Sequence, residues 1–374
     1  MTPSLSIRQI ASHYLLTPQG FYKHPLLTVD STTGKILKVE QYGSMLDSTA
    51  GVEFYSGVLC PGFVNAHCHS ELSYLRGKIV PGGGYAAFAA SMAAVRSDFA
   101  DEQRRAAWAE ADRFMWEQGI DAVADIVNDS SSFETKGSSD IFYRSFAEVF
   151  GLKRSNIEQC RELAAMPNTS LTPHSVYSIQ QSDFQAVCDS APSVLTIHFK
   201  ESEAEEQLFA GYGSLAEWYK VAGFECDFLD YGSPAERLVA SVPANQSVML
   251  VHNSYVTQRD IDTIMSHFTA PVYWVLCPRS NRYVSGTITD VVRLLDSNGL
   301  NICIGTDSLA SNSSLSVVEE LKCFASMPLE KLLTWATFNG AAALGVEPRG
   351  LINIVGADLD KMVITEQTKV KRVL

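Results

Sequence analysis

The chain of 374 residues is 46% hydrophobic and 19% charged, outside the polar, highly charged range of disordered segments. Its 29 Lys and Arg against 42 Asp and Glu leave a formal charge of −13, which repels nucleic-acid phosphates and anionic lipid surfaces and so argues against a nucleic-acid polymer or a membrane as partner. No apolar run reaches the ~18 to 20 residues of a membrane span. The first sixteen residues lack a basic region followed by an apolar core. The eight scattered cysteines form no CxxC pair, which predicts reduced, mostly buried thiols and a cytoplasmic protein.

In chain order, residues 1 to 58 alternate short β-type runs with turns: ASHYLLT, Pro-Gln-Gly, PLLTVD, Thr-Thr-Gly, KILKVEQY and VEFYSGVL. A small antiparallel sheet is predicted there. From residue 58 onward, apolar runs rich in β-branched and aromatic residues alternate with stretches of helical spacing, the pattern of a parallel sheet. The runs are VLCPGFVNAHCH, IDAVADIV, IFYRSFAEVF, NTSLTPHS, SVLTIHF, SVMLVHN, APVYWVLCP and LNICIGTD. Eight is the number that closes a (β/α)8 TIM-type barrel of roughly 250 residues. Helices are predicted from Asp101 (DEQRRAAWAEADRFMWEQ), from Ser202 (one long segment, SEAEEQLFAGYGSLAEWYKVA) and over TQRDIDTIMSHF, where Thr257 and Asp260 can cap the first turn. LINIVGADLDKMVITEQTKVKRVL reads as strand and is expected to return to the N-terminal sheet. The predicted class is therefore α/β, with a barrel over 59–349 and a small β-sandwich domain formed by 1–58 and 350–374.

Functional groups of such a barrel sit at the C-terminal ends of its strands. Five of the eight histidines end predicted strands: His67 and His69 on the first, His174 on the fourth, His198 on the fifth and His252 on the sixth. Asp307 ends the eighth. Strand side chains alternate faces, so His67 and His69 point one way and Cys68 the other, a spacing that suits two ligands on one metal. His198 can supply a third nitrogen and Asp307 an oxygen, a set that suits one divalent ion, zinc first and ferrous iron second. Singly, His198 can equally be a core histidine and Asp307 a helix N-cap. Their joint placement favours the ligand set, which makes an activated water available near neutral pH.

Glu201, three residues past His198, can reach that water as a general acid and base without being a ligand. It can also belong, with Glu203, Glu205 and Glu206, to the charged first turn of a helix, the reading adopted for those last three. His252 can orient the attacking water or be a buried structural histidine. His174 and Asn253 are placed to hold substrate. The residues from Leu75 to Phe88, Arg76 among them, are placed to cover its substituent. CPRSN, Cys277 to Asn281, either shapes the pocket or caps the barrel. No GxxxxGK[ST] loop, strand-linked GxGxxG, GxSxG elbow or HxE with PCxxC pattern occurs.

In this order, PGFVNAHCHSELS, TPHSVYS, HFKES, LVHN, CPRSN and GTDSLASN resemble the amidohydrolase superfamily, in the branch of methylthioadenosine and S-adenosylhomocysteine deaminases, guanine deaminase, aminofutalosine deaminase and chlorohydrolases. The resemblance runs from about residue 58 to 345. It implies that His67, His69, His198 and Asp307 are metal ligands, Glu201 the proton shuttle, His252 the water-orienting histidine and His174 a substrate contact. The fourth strand ends in TPHS, without the lysine that a binuclear relative needs, which favours one metal. The family's Pro-Gly-Lys-x-Ala-Asp stretch is here NIVGADLD, keeping only Ala357 and Asp358. The expected activity is hydrolytic deamination of a purine, nucleoside or related small aminated heterocycle, with a homodimer as the expected assembly. The alternative is hydrolysis of a C–Cl or cyclic amide bond on the same fold.

Overall fold

A computed structural model describes residues 6–42 and 51–374. Residues 1–5 and 43–50, which fall in the predicted N-terminal sheet region, lie outside the described residues. The N-terminal runs become β1 (Ile7–Thr17), β2 (Gly20–Lys23), β3 (Pro25–Asp30), β4 (Ile36–Gln41) and β5 (Val52–Cys60). Eight strands follow: β6 (Phe63–Cys68), β7 (Ile120–Val127), β8 (Phe142–Val149), β9 (Thr169–Pro173), β10 (Leu195–Phe199), β11 (Val248–His252), β12 (Val272–Leu276) and β13 (Asn301–Ile304). The chain closes with β14 (Ile352–Val355) and β15 (Lys369–Arg372).

β14 pairs antiparallel with β5 and β15 with β14, giving a seven-stranded sheet ordered β15-β14-β5-β1-β3-β4, with β2 on β1. This sheet is mixed rather than antiparallel throughout, because β1 lies between antiparallel β3 and parallel β5. The run expected as the first barrel strand is also divided. Val58 to Cys60 belong to β5, Pro61 and Gly62 break the ladder, and β6 begins at Phe63.

All pairings among β6 to β13 are parallel, and they form two four-stranded sheets, β6-β7-β8-β9 and β10-β11-β12-β13. Nearly every residue of these strands is buried, as expected when helices cover one face and the opposed sheet the other. The two sheets touch at two seams. At one, the His198 amide donates to the His174 carbonyl at 2.9 Å. At the other, the amides of Thr306 and Asp307 donate to the His67 carbonyl, each at 3.0 Å. A Cβ on Gly305 would lie 2.8 Å from the His67 Cβ, so glycine is what lets β13 approach β6 here. Four of the predicted strand-end residues thus sit on the seams themselves.

Among the helices, α1 (Gly84–Val95) and α2 (Asp101–Glu117) lie between β6 and β7. The long segment after Ser202 is two helices, Glu203–Phe209 and Gly213–Ala222, because Gly211 and Gly213 take φ of 79° and 87° and break the run. The Gln258–His267 helix starts with the expected reciprocal cap, Asp260 accepting from the Thr257 amide at 2.8 Å. All eight cysteines are free and six are buried. No helix among the described residues is long and apolar enough to cross a membrane.

Candidate metal centre and catalytic site

The strand ends turn sharply where the site forms. His252, Asn253 and Asp307 take φ of 75°, 56° and 57°, left-handed conformations that non-glycine residues adopt at a cost of order 1 kcal/mol or more each. The chain leaves β11 and β13 through these turns, which hold the His252 and Asp307 side chains over the strand ends.

His67, His69 and His198 converge, their ligand atoms within 4.8 Å of one another. The His67 ring centroid lies 4.9 Å from that of His69 and 4.8 Å from that of His198. Cys68 packs in the core on the other side, as the alternation predicted. His198 Nδ1 donates to the His174 carbonyl at 2.8 Å, which leaves the Nε2 lone pair facing His69 Nε2 at 3.3 Å. Both ring nitrogens of His67 are buried with no hydrogen-bond partner. Buried polar atoms are rarely left unpaired, so an orphaned imidazole aimed at two others fits a bound cation.

Asp307 completes the set. Its Oδ2 accepts from Ser280 Oγ at 2.6 Å and Ser311 Oγ at 2.7 Å, and its Oδ1 is left 4.0 Å from His67 Nε2 and 3.8 Å from His69 Nε2. Burial pushes its pKa up, but the His69 and His252 imidazoles and the two serine hydroxyls outweigh it and hold the carboxyl below its usual range. The N-cap reading of Asp307 does not hold, since the following helix, Val317–Leu321, has Ser316 at its N-cap.

Glu201 lies before Ser202, the residue that caps the Glu203–Phe209 helix, so it stands outside that helix. It is buried, with Oε1 3.9 Å from His252 Nε2. Burial raises its pKa, partly offset by His252. His252 Nδ1 donates to Asn281 Oδ1 at 2.8 Å, which fixes the tautomer and presents Nε2 to the cavity. CPRSN therefore supports the site through Ser280 and Asn281.

A cavity of about 350 Å³ opens over these groups, lined among others by His69, Phe88, Met92, His174, His198, Glu201, His252 and Asp307. His174 stacks on His198 at 4.6 Å, and burial lowers its pKa to about 3, so it is neutral. Two predicted substrate contacts are not brought there. The Asn253 amide turns inward, donating to the carbonyls of Leu250 at 2.7 Å and Val275 at 3.1 Å, because its left-handed backbone carries the side chain beneath the strand ends. Arg76 points outward to Glu110 of α2 at 3.8 Å. Glu205 also departs from the solvated first-turn reading. It is 1% exposed, and its carboxylate accepts the amides of Lys200, Glu201 and Ser202.

The cavity has a second polar wall that the sequence reading passed over: Glu71, Arg96, Asn128 and Glu148. Glu148 is the penultimate residue of β8 and third from the end of the corresponding predicted run, so the strand-end criterion used for the histidines could have found it. Burial pushes the Glu71 carboxyl up to about 7 and that of Glu148 to about 8.

The chain is similar to known proteins in sequence and in fold. Over nearly its whole length the chain is 25% identical to an aminodeoxyfutalosine deaminase of a Nitratiruptor species, covering 98% of each chain. Its fold is similar to that of a Helicobacter pylori aminofutalosine deaminase solved in complex with methylthio-coformycin, with TM-score 0.75, 24% identity and coverage of 97% of this chain and 90% of that one. It is similar also to an adenosine deaminase from Xanthomonas campestris with bound zinc, with TM-score 0.70, 19% identity and coverage of 94% and 85%. At these identities the two solved structures speak for the fold alone. Residues 58–374 match the model of the amidohydrolase family, and the chain belongs to that family.

Proposed function

We propose that the chain is a mononuclear metal-dependent aminohydrolase that deaminates an aminated purine, nucleoside or related heteroaromatic ring. The observation that carries this reading is Glu201, a buried carboxyl in the same cavity as a three-imidazole, one-carboxylate cluster but outside it. A purely structural metal needs no such group. His67, His69, His198 and Asp307 would hold one divalent ion, zinc by its donor preference, with ferrous iron second. Such an ion would supply a water of lowered pKa at neutral pH.

This chain's own residues do the rest. His252, its tautomer set by Asn281, presents Nε2 to hold the attacking water. Glu201 takes a proton from that water and delivers it to the ring nitrogen next to the amine-bearing carbon, which makes that carbon electrophilic. The water oxygen bonds to the carbon, the C–N bond to the amine breaks with a second proton transfer through Glu201, and ammonia leaves with a ring carbonyl in its place. His174, neutral and lining the cavity, holds the ring. The similarity to proteins that are aminodeoxyfutalosine, adenosine and methylthioadenosine/S-adenosylhomocysteine deaminases supports the reaction class.

The two four-stranded sheets are read as one (β/α)8 barrel over 59–349, closed through the seams at His174–His198 and His67–Asp307. Residues 1–58 and 350–374 are read as a small β-sandwich domain, supported by the separate apolar cluster of Ile10, Leu27, Leu59 and Leu351. Free cysteines support a reducing, cytoplasmic location, and the concave site with a net charge of −13 supports a small-molecule partner.

The test is a panel of guanine, adenosine, methylthioadenosine, S-adenosylhomocysteine, aminofutalosine and amino-pterins assayed for ammonia. At least one should release ammonia stoichiometrically. Turnover of a chlorinated ring or cyclic amide with no aminated substrate would overturn the reading.

A further inference from the structure

Three of the four residues assigned to the metal are tied into the seams between the two sheets. His198 donates to the His174 carbonyl through both its amide and Nδ1, and the Asp307 amide donates to the His67 carbonyl. His69 has no such tie. It stands one residue past the end of β6, just before the 3-10 helix Ser70–Leu75, and its own side chain does not cap that helix. Among the described residues, its imidazole has no hydrogen-bond partner outside the ligand set.

The missing cap comes from β7. Asp125 accepts the Ser70 amide on Oδ1 at 2.9 Å and the Ser70 hydroxyl on Oδ2 at 2.6 Å. The same hydroxyl accepts from Trp108 Nε1 of α2 at 2.6 Å, so its own proton is committed to Asp125. Lys136 balances the buried charge, its Nζ 2.7 Å from Asp125 Oδ2 and 2.9 Å from Ser145 Oγ, with the rings of Phe133 and Tyr143 5.0 and 5.4 Å away. Asp125 and Ser70 are fully buried, and the Lys136 side chain is 6% exposed. An ion pair this deep is a poor source of stability, because desolvating both charges offsets their attraction. What the carboxylate does supply is two acceptors at one fixed place, directly after a ligand histidine.

We propose that Asp125 is a positioning residue for His69. Through Ser70 it fixes the chain immediately after the ligand, and so sets where the imidazole is presented, with Lys136 as the counter-charge that keeps Asp125 ionised. The inference rests on the metal-centre reading above.

The experiment measures zinc affinity, by competition with a chromophoric chelator, and the visible spectrum of the cobalt-loaded protein. The proteins compared are the wild type, Asp125→Ala, Asp125→Asn, Ser70→Ala and Arg372→Ala. The last breaks a buried ion pair at the other end of β7, between Arg372 and Asp121, and controls for destabilisation alone. Asp125→Ala should bind zinc about 10- to 100-fold more weakly, the usual loss when a group supporting a ligand is removed, and should change the cobalt spectrum. Asp125→Asn, which keeps one oxygen for the Ser70 amide, should recover part of that loss. Arg372→Ala should keep wild-type zinc affinity and spectrum. Zinc binding by Asp125→Ala within twofold of wild type overturns the proposal, as does an equal loss in Arg372→Ala. If Asp125→Ala does not fold, Ser70→Ala decides, since it removes the hydroxyl and leaves the ion pair: zinc binding should weaken at least about threefold, and an unchanged affinity overturns the proposal. A wild type that takes up no zinc or cobalt instead overturns the metal-centre reading itself.

Discussion

Glu205→Ala removes a side chain that touches no substrate, yet it should damage both stability and turnover. The carboxylate accepts the Lys200 amide at 2.8 Å, the Glu201 amide at 2.7 Å and the Ser202 amide at 3.3 Å, all on the segment that leaves β10 for the next helix. With Glu205 only 1% exposed, water cannot replace it without opening the site. Each of the two short bonds, once lost, leaves a buried donor worth about 1–3 kcal/mol, so the variant should lose about 2–6 kcal/mol. That is a large part of the roughly 5–15 kcal/mol that typically holds a domain together. Because one of these amides is that of Glu201, the carboxyl we propose to move the protons loses its backbone anchor, and a displacement of about 1 Å is enough for roughly a 100-fold fall in kcat. Urea denaturation gives the first quantity, and ammonia release per folded, metal-loaded chain gives the second. A stability change under about 0.5 kcal/mol, or full kcat alongside the stability loss, would refute this account of Glu205.

Elemental analysis should find close to one zinc or iron per chain, falling sharply in His67→Ala/His69→Ala; two ions per chain would contradict the mononuclear centre. Glu320, buried and accepting from the Arg279 amide and Asn312, has its pKa pushed from 4.5 to about 8 by burial. The unfolded chain therefore releases this proton at lower pH than the native one, and the associated stability, full below about 4.5, is lost as pH rises through 8. Urea midpoints between about pH 5 and 8 should fall more steeply in the wild type than in Glu320→Gln, and equal slopes would contradict the assignment. Arg372 on β15 stacks on Trp116 at 3.4 Å and pairs with buried Asp121 at 2.6 Å. Arg372→Ala leaves that carboxyl unpaired and should cost about 3–5 kcal/mol in a denaturation curve, without changing activity per folded molecule.

The strands and the convergence of His67, His69 and His198 were legible because they rest on local rules. Apolar runs buried on both faces read as parallel strands, and alternation fixed the common direction of His67 and His69 before any contact was known. What was not legible came from tertiary geometry. The positive φ at Asn253 carries its side chain under the site rather than into it, and no residue type announces that turn. Glu205 reads in sequence as one of four clustered carboxylates, and only the fold shows it wedged against three amides while Glu203 stays outside the core. The break at Gly211 and Gly213 was visible as glycine but was overruled by the helical spacing on either side. Glu148 lay within reach of the strand-end criterion, but a lone glutamate in an apolar run carries no spacing signal of its own.

The central claim is that water adds at an amine-bearing ring carbon with Glu201 moving the protons. It is tested most directly by running the reaction on whichever aminated ring proves to be a substrate in heavy-oxygen water, with wild type and Glu201→Gln at equal metal content. The product's ring carbonyl should carry the label, with one ammonia released per label, and Glu201→Gln should keep its metal while turning over about 10² to 10⁴ times more slowly. An unlabelled carbonyl, or wild-type turnover in Glu201→Gln, would contradict the claim.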